Sequence, residues 1–227
     1  MIVIQSKKLL FVSNPKTGTS KVQKVLLEIF PESKLNKVFS DNNNSVIKLN
    51  EHDNIDALKS KIGDSWDNYK SFVFIRSPYE KAVSAYHFYS NGEPITRSDN
   101  KRQLQVYINI LLTKLLPFSI WVILKPIKTN YRYVMDNKNI VSVNHVGNNI
   151  QLLSQLEQLL NSYEINIEIS DRSKLNKSSY IHSKDFFKNT ITKYLFDLKY
   201  KKDLFLYKRL KSYKITDNIK GKRLSEL

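Results

Sequence analysis

The chain has 227 residues, enough for one domain with a sizeable core, and it contains no cysteine. Disulfides, thiolate metal sites and cysteine nucleophiles are therefore excluded. Lys and Arg number 37 against 21 Asp and Glu, a formal charge of +16, which favours anionic partners: a nucleotide, an acidic or sulfated glycan, nucleic acid, or an anionic membrane surface.

The first residues, Met1 to Lys8, lack the apolar core of a secretory leader, because Lys7 and Lys8 interrupt it. The longest apolar stretch, residues 108–124, is broken by Asn109, Lys114 and Pro117. It reads as a buried helix followed by a strand, not as a transmembrane segment. A cytoplasmic protein is the expectation. Leu9, Leu10, Phe11 and Val12 form a short buried strand; Pro15 and Gly18 break the chain; Val22, Val25, Leu26 and Ile29 then recur at helical spacing. The joint between strand and helix holds Lys16, Thr17, Gly18, Thr19 and Ser20. Unpaired amides and a positive dipole end make a helix start an anion cradle. Lys16 adds a charge, and Gly18 allows close backbone approach to a phosphate. A triphosphate P-loop places its lysine after a second glycine. Here Lys16 precedes Gly18 and the first glycine is missing, so the anion is of another kind.

Pro31 ends the helix, residues 41–45 are a polar loop, and Val46, Ile47, Lys48 and Leu49 form a short strand or extended segment. Glu51, His52 and Asp53 lead into a helix with Ile55, Leu58 and Ile62 on one face, capped by Asp53 or Asn54 and stopped at Gly63. Residues 71–75 are apolar enough for a central parallel strand, and Arg76 follows at once. Ser77, Pro78 and Glu80 spell a capping box with proline at the first helical position. The helix runs through Ala82, Val83 and Tyr86, with Ser84 about two turns in. Two strand–turn–helix units thus end in basic residues, Lys16 and Arg76, at carboxyl ends of strands, where open α/β sheets bind ligands.

Residues 91–102 are a polar excursion. Leu104, Tyr107, Ile108, Leu111, Leu112 and Leu115 then mark an amphipathic helix ending at Pro117. A strand is expected at residues 140–143, a helix through Ile150, Leu153, Leu156 and Leu160, and an edge strand at residues 165–169. Residues 171–179 are a basic, serine-rich loop. Closing helical patterns place Phe187, Ile191, Tyr194 and Leu195 on one face, followed by Leu204 to Tyr207. The expected organisation is one domain over residues 1–207 and a basic, frayed or extended tail over 208–227. The fold class is α/β, with a central, mainly parallel sheet flanked by helices on both faces.

The stretch Pro15-Lys16-Thr17-Gly18-Thr19-Ser20 resembles the 5′-phosphosulfate loop of sulfotransferases, which use 3′-phosphoadenosine-5′-phosphosulfate (PAPS). Residues 72–86, an apolar strand followed by Arg76, Pro78, Tyr79, Glu80, Lys81, Ser84, Ala85 and Tyr86, resemble the 3′-phosphate motif of the carbohydrate-type family. Looser matches follow at Val143 to Gly147, at Asn176 to Ser179, and at the closing Tyr200-x-x-Asp203 pattern with Tyr207. The resemblance implies a P-loop-like sulfotransferase fold. Two departures, Gly147-Asn148-Asn149-Ile150 and the absence of a histidine before Pro126, fall in regions that shape acceptor binding in that family.

What the resemblance implies is sulfuryl transfer from PAPS to a hydroxyl or amine, most readily of a carbohydrate, without a metal. Lys16 would stabilise the leaving oxygen. Thr17, Gly18, Thr19 and Ser20 would hold the 5′-phosphosulfate, and Arg76 and Ser84 the 3′-phosphate. Histidine suits a general base at neutral pH. His52, in its loop before a helix, is the candidate, with Glu51 as fallback. His87 reads as a packing residue, and His145 and His182 have no constellation around them. Two other classes compete: a nucleotide kinase or NTPase, which the lysine order opposes, and a basic nucleic-acid-binding module. The latter calls for basic and aromatic residues interleaved on one surface, whereas the 13 tyrosines are spread along the chain.

Overall fold

The computed structural model describes residues 1–35, 37–39, 46–92, 100–169 and 183–227. The loop at 41–45, most of the excursion at 91–102, the serine-rich loop with Asn176 and Ser179, and His182 lie outside these residues. The strands are β1 (Ile2–Ile4), β2 (Leu9–Val12), β3 (Lys34–Leu35), β4 (Lys37–Phe39), β5 (Val46–Lys48), β6 (Lys70–Ile75) and β7 (His145–Asn148). The helices are α1 (Thr19–Ile29), α2 (Ile55–Ile62), α3 (Pro78–Ser90), α4 (Asn100–Leu115), α5 (Phe118–Leu124), α6 (Tyr131–Val134), α7 (Leu152–Asn161), α8 (Ser183–Phe186), α9 (Thr190–Lys199) and α10 (Lys201–Leu210).

A five-stranded sheet has the order β3-β1-β2-β6-β7. Its centre, β2, β6 and β7, is parallel, with Leu9 opposite Lys70 and Phe72 opposite His145. β1 runs antiparallel to both β2 and β3. β4 and β5 form a separate antiparallel pair, in keeping with the extended segment expected from Val46. The strands alternate between two buried faces, so they read as continuous apolar runs. Ile2, Ile4, Leu9, Phe11, Phe72 and Phe74 face Val22 and Leu26 of α1 and Leu153, Leu156 and Leu160 of α7. Val3, Leu10, Val12, Val73 and Ile75 face α2, α6 and α10 through Leu58, Val134 and Leu206. The α/β class and the helices on both faces are therefore as expected. β1 was not anticipated as a strand. It closes onto β2 through a tight reversal in which Lys8 takes a left-handed φ of 50°.

Several local expectations are corrected. Residues 118–124 form helix α5, not a strand: Phe118, Trp121 and Val122 recur at helical spacing and are buried, whereas Ile120 and Leu124 are exposed. A short, uniformly apolar run has no period to separate the two. Residues 140–143 contribute only single bridges, Met135 to Val141 and Ile140 to Arg223. The ladder strand begins instead at His145 and contains Gly147. A Cβ at Gly147 would lie 2.5 Å from Phe74 Cε1 and 2.8 Å from Gln155 Oε1, so glycine here permits close approach of neighbours. Residues 165–169 form no strand; Ile165, Ile167 and Ile169 pack irregularly on the α1–α7 face. Ser77 makes no side-chain cap, because Glu80 turns to Arg76 Nε at 3.3 Å. α2 is as expected: the Asn54 side chain accepts the Ala57 amide, and Gly63 ends the helix.

The stretch at 208–227, read as a tail, is instead packed into the domain. α10 runs on to Leu210, and the Gly221 amide donates to Val141, the Val141 amide to Lys222, and the Ile219 amide to Asn144. Ile215 and Ile219 are each 1% exposed. The lysine density hid two isoleucines spaced to bury. Replacing Ile219 with alanine is expected to lower unfolding stability by about 2–4 kcal/mol, read as a shift in urea midpoint at unchanged slope. A neutral result would mean that this segment does not belong to the cooperative core.

Candidate functional site at the carboxyl ends of β2 and β6

Because β2 and β6 are adjacent and parallel, the loops that follow them leave the same edge of the sheet. The first loop is built around Asn14, which is fully buried. Its carbonyl accepts the Thr17 hydroxyl at 2.8 Å and the Thr19 hydroxyl at 2.7 Å, and its side-chain amide donates to Phe74 O at 2.9 Å. The loop thus winds on its own threonines. Thr17 and Thr19 are buried and spend their single hydroxyl protons on Asn14, so in this arrangement they shape the cradle and do not point donors out of it. Ser20 is exposed. The first helical hydrogen bond at the start of α1 is that of the Lys21 amide to Gly18 O; the Thr19 and Ser20 amides, ahead of it, have no intrahelical partner. Gly18 takes φ 91°, and a Cβ there would lie 2.7 Å from Leu152 Cδ2 of α7. Its requirement is thus both the left-handed turn and close helix packing.

Lys16 also has a left-handed φ, 65°, costly for a residue with a Cβ. The turn directs its carbonyl to the Arg76 guanidinium, with Nη1 donating at 3.3 Å. Its side chain crosses to α3, where Nζ stands 3.2 Å from the centroid of the Phe88 ring. Glu80, Ser84 and Phe88 are four residues apart and occupy one row of α3. Arg76 binds the head of that row through Glu80. The structure therefore brings Lys16, Arg76 and the row carrying Ser84 into one region. Burial, with the neighbouring Arg76 charge acting in the same direction, lowers the Lys16 pKa to about 7.

His52 stands at the entry to α2, and its Nδ1 lies 3.1 Å from Ser13 O, at the start of the loop after β2. A carbonyl only accepts, so Nδ1 carries the proton and Nε2 the lone pair of the neutral ring. Burial holds the His52 pKa below the ordinary value, opposed by the Ser13 hydrogen bond and by Glu51. The other described histidines sit elsewhere. His87 packs edge-on to Phe186 at 5.2 Å. His145, at the amino end of β7, links Tyr163 at 2.6 Å to the Asp217 carbonyl at 3.2 Å. Among the described residues no group of three His, Asp or Glu side chains gathers to hold a metal ion.

Four residues that carry the site were missed as such in the sequence: Asn14, Lys81, Asn130 and Asp203. Asn130 is fully buried between the two loops. Its amide donates to Arg76 O at 2.9 Å and to Asp203 Oδ2 at 3.2 Å, and its Oδ1 accepts from Asn14 at 3.0 Å and from the Arg76 amide at 3.3 Å. Lys81, 1% exposed, donates to the side-chain oxygens of both asparagines. Asp203 accepts the Tyr131 amide at 2.8 Å. Burial pushes the Lys81 pKa down and the Asp203 pKa up, while their mutual attraction opposes both shifts. The helical wheel held the signal: Lys81 falls among Pro78, Ala82 and Ala85 on the buried stripe of α3, and Asp203 lies in line with Leu206 and Leu210.

Comparison of the chain with protein families, with curated proteins and with solved structures found no match.

The half-charged Lys16 has a measurable consequence. A polyanion bound beside it favours the ammonium form. Above about pH 7 such binding takes up a proton, and affinity falls as pH rises through 7. Titration calorimetry of 3′,5′-ADP in two buffers of different ionisation enthalpy should register this uptake in the wild type and lose it in Lys16→Met. Equal apparent enthalpies in both buffers would place Lys16 away from the anion.

Proposed function

We propose that the chain is a PAPS-dependent sulfotransferase, with a hydroxyl or amine acceptor, most readily on a carbohydrate. The observation that carries the reading is the convergence of Lys16 and Arg76 from the carboxyl ends of adjacent parallel strands, beside a helix start whose first amides have no intrahelical partner. One doubly phosphorylated nucleotide satisfies both cations. The P-loop-like character of the fold belongs to the same proposal, since the strand–loop–helix of β2 and α1 supports it.

Catalysis of this kind is positioning and neutralisation of developing charge. In the reading, the amides at the start of α1 hold the 5′-phosphosulfate, and Arg76 with Ser84 holds the 3′-phosphate. The acceptor oxygen bonds to sulfur as the sulfur–oxygen bond to the 5′-phosphate breaks. That electron pair stays on the phosphate oxygen of 3′,5′-ADP, where Lys16 offsets the charge. The acceptor proton passes to His52 Nε2, available because Nδ1 is engaged by Ser13. Before ligand enters, the Lys16 ammonium rests on Phe88; releasing it costs about 1–2 kcal/mol of cation–π attraction, which a sulfonate or phosphate readily exceeds.

Lys16→Ala is expected to lower turnover with PAPS by about 10²–10³-fold at unchanged circular dichroism. Full turnover in that variant would sink the mechanism. Arg76→Ala is expected to weaken 3′,5′-ADP binding by about 10²-fold, read by calorimetry. In wild-type thermal-shift assays 3′,5′-ADP should stabilise more than ATP with Mg²⁺ or an oligonucleotide. Preference for ATP–Mg²⁺ would favour the kinase or NTPase class instead, and preference for the oligonucleotide a nucleic-acid-binding module.

A further inference from the structure

The amphipathic periodicity of α4 is present, but its apolar stripe points out of the molecule. Leu104, Ile108, Leu111 and Leu115, at spacings of four, three and four, are 60%, 41%, 41% and 76% exposed. The opposite side of the helix, at Ile110 and Thr113, is buried against the protein. Ile120 and Leu124 of α5 add a second outward pair, 46% and 64% exposed. Such a set is larger than the scattered apolar residues of an ordinary surface. On α4 alone it extends about 16 Å, at 1.5 Å per residue.

The charges carried by α4 and α5 themselves have one sign. From Asn100 to Leu124 the sequence contains Lys101, Arg102 and Lys114, and no Asp or Glu. Lys114 is exposed. A second copy of the chain, face to face, would set these bases against themselves, and like-charge juxtaposition costs several kcal/mol. Apart from Tyr107, which is 49% exposed, the exposed side chains on the stripe are flexible aliphatics, whereas the anchors that dominate protein interfaces are mostly Trp, Tyr and Arg. Aliphatic side chains backed by lysines match a bilayer surface with anionic headgroups, where the apolar row enters the headgroup boundary and the bases meet lipid phosphates and carboxylates.

We propose that the α4–α5 face is a peripheral docking surface for an anionic membrane leaflet. No helix of the described residues is long and apolar enough to cross a membrane, and docking of this kind requires none. The proposal does not depend on the sulfotransferase reading, since its readout is partition and not turnover.

The test is co-sedimentation of the full chain with sucrose-loaded vesicles of phosphatidylcholine, with and without about 30% phosphatidylserine. The expected result is binding to the anionic vesicles at least tenfold tighter than to the neutral ones, weakened by raising salt from 0.05 to about 0.5 M. The variant Leu111→Gln/Leu115→Gln alters only exposed positions and should keep the wild-type circular dichroism and thermal midpoint. Its partition coefficient should fall at least tenfold, at about 0.8 kcal/mol for each lost buried methylene. Equal binding to the two vesicle types, or undiminished binding of the double variant, would overturn the proposal. So would a concentration-dependent dimer, seen by sedimentation velocity, that the double variant abolishes, since that would assign the face to a second copy.

Discussion

The structure depends most on one buried side chain, Asn130. It receives or donates hydrogen bonds at the ends of β2 and β6, at Lys81 of α3 and at Asp203 of α10. Those segments come from four separate parts of the sequence. β2, β6 and α10 share one apolar cluster, whereas α3 packs in another, and apolar packing alone does not fix their mutual orientation to a fraction of an ångström. Hydrophobic burial is non-directional; an amide with two donors and two acceptor lone pairs is not. In a water-excluded interior each unmet donor or acceptor costs about 1–3 kcal/mol, so the network has one good arrangement. Its geometry sets where the Lys16 carbonyl and the Arg76 main chain stand.

This makes the candidate site a compromise between stability and availability. Lys81 and Asp203 are a cation and an anion taken out of water, and burial works against the charge of each. Such groups do not stabilise a fold as well as apolar residues of the same volume would. What they add is direction: Lys81 holds the side chain of Asn14, whose carbonyl in turn gathers Thr17 and Thr19. Lys16 bears the strain in its backbone and is incompletely charged at neutral pH. Strain and lost charge of this sort are retained where a ligand relieves them. An anion seated on the amides of α1 would restore the Lys16 charge.

The helices around the sheet divide into two kinds. Those on the sheet faces, α1, α2, α7 and α10, turn their apolar stripes inward onto alternate residues of β2 and β6. α4 and α9 turn theirs partly outward: on α9, Ile191, Tyr194, Leu195 and Leu198 are exposed, while Thr192 and Phe196 are buried. Here the small aromatic cluster of Tyr79, Phe118, Phe187 and Phe196 supplies the packing, with ring centroids 4.9–5.2 Å apart. Ile191, Tyr194 and Leu195, which the sequence pattern places on one face, thus stand outside the core, because the helix is anchored from its other side.

The sequence by itself determined what depends on local spacing. β2 and β6, the helices after them, the Asn54 cap and the Gly63 stop follow from apolar runs, 3.6-residue periodicity and glycine conformational freedom, all encoded within a few residues. The placing of Lys16 and Arg76 at strand ends, and of His52 before a helix, was legible for the same reason. Tertiary structure alone decided whatever depends on who stands opposite. The antiparallel β1, the helix at Phe118–Leu124, the strand position of Gly147 against Phe74 and the packed segment after Lys208 each required a partner distant in sequence. So did the asparagine network, because Asn14 and Asn130 look like ordinary polar residues until the chain brings them into contact. A helical wheel reports that one face is apolar. It does not report whether that face meets the core or the solvent, which is why α4 turned outward.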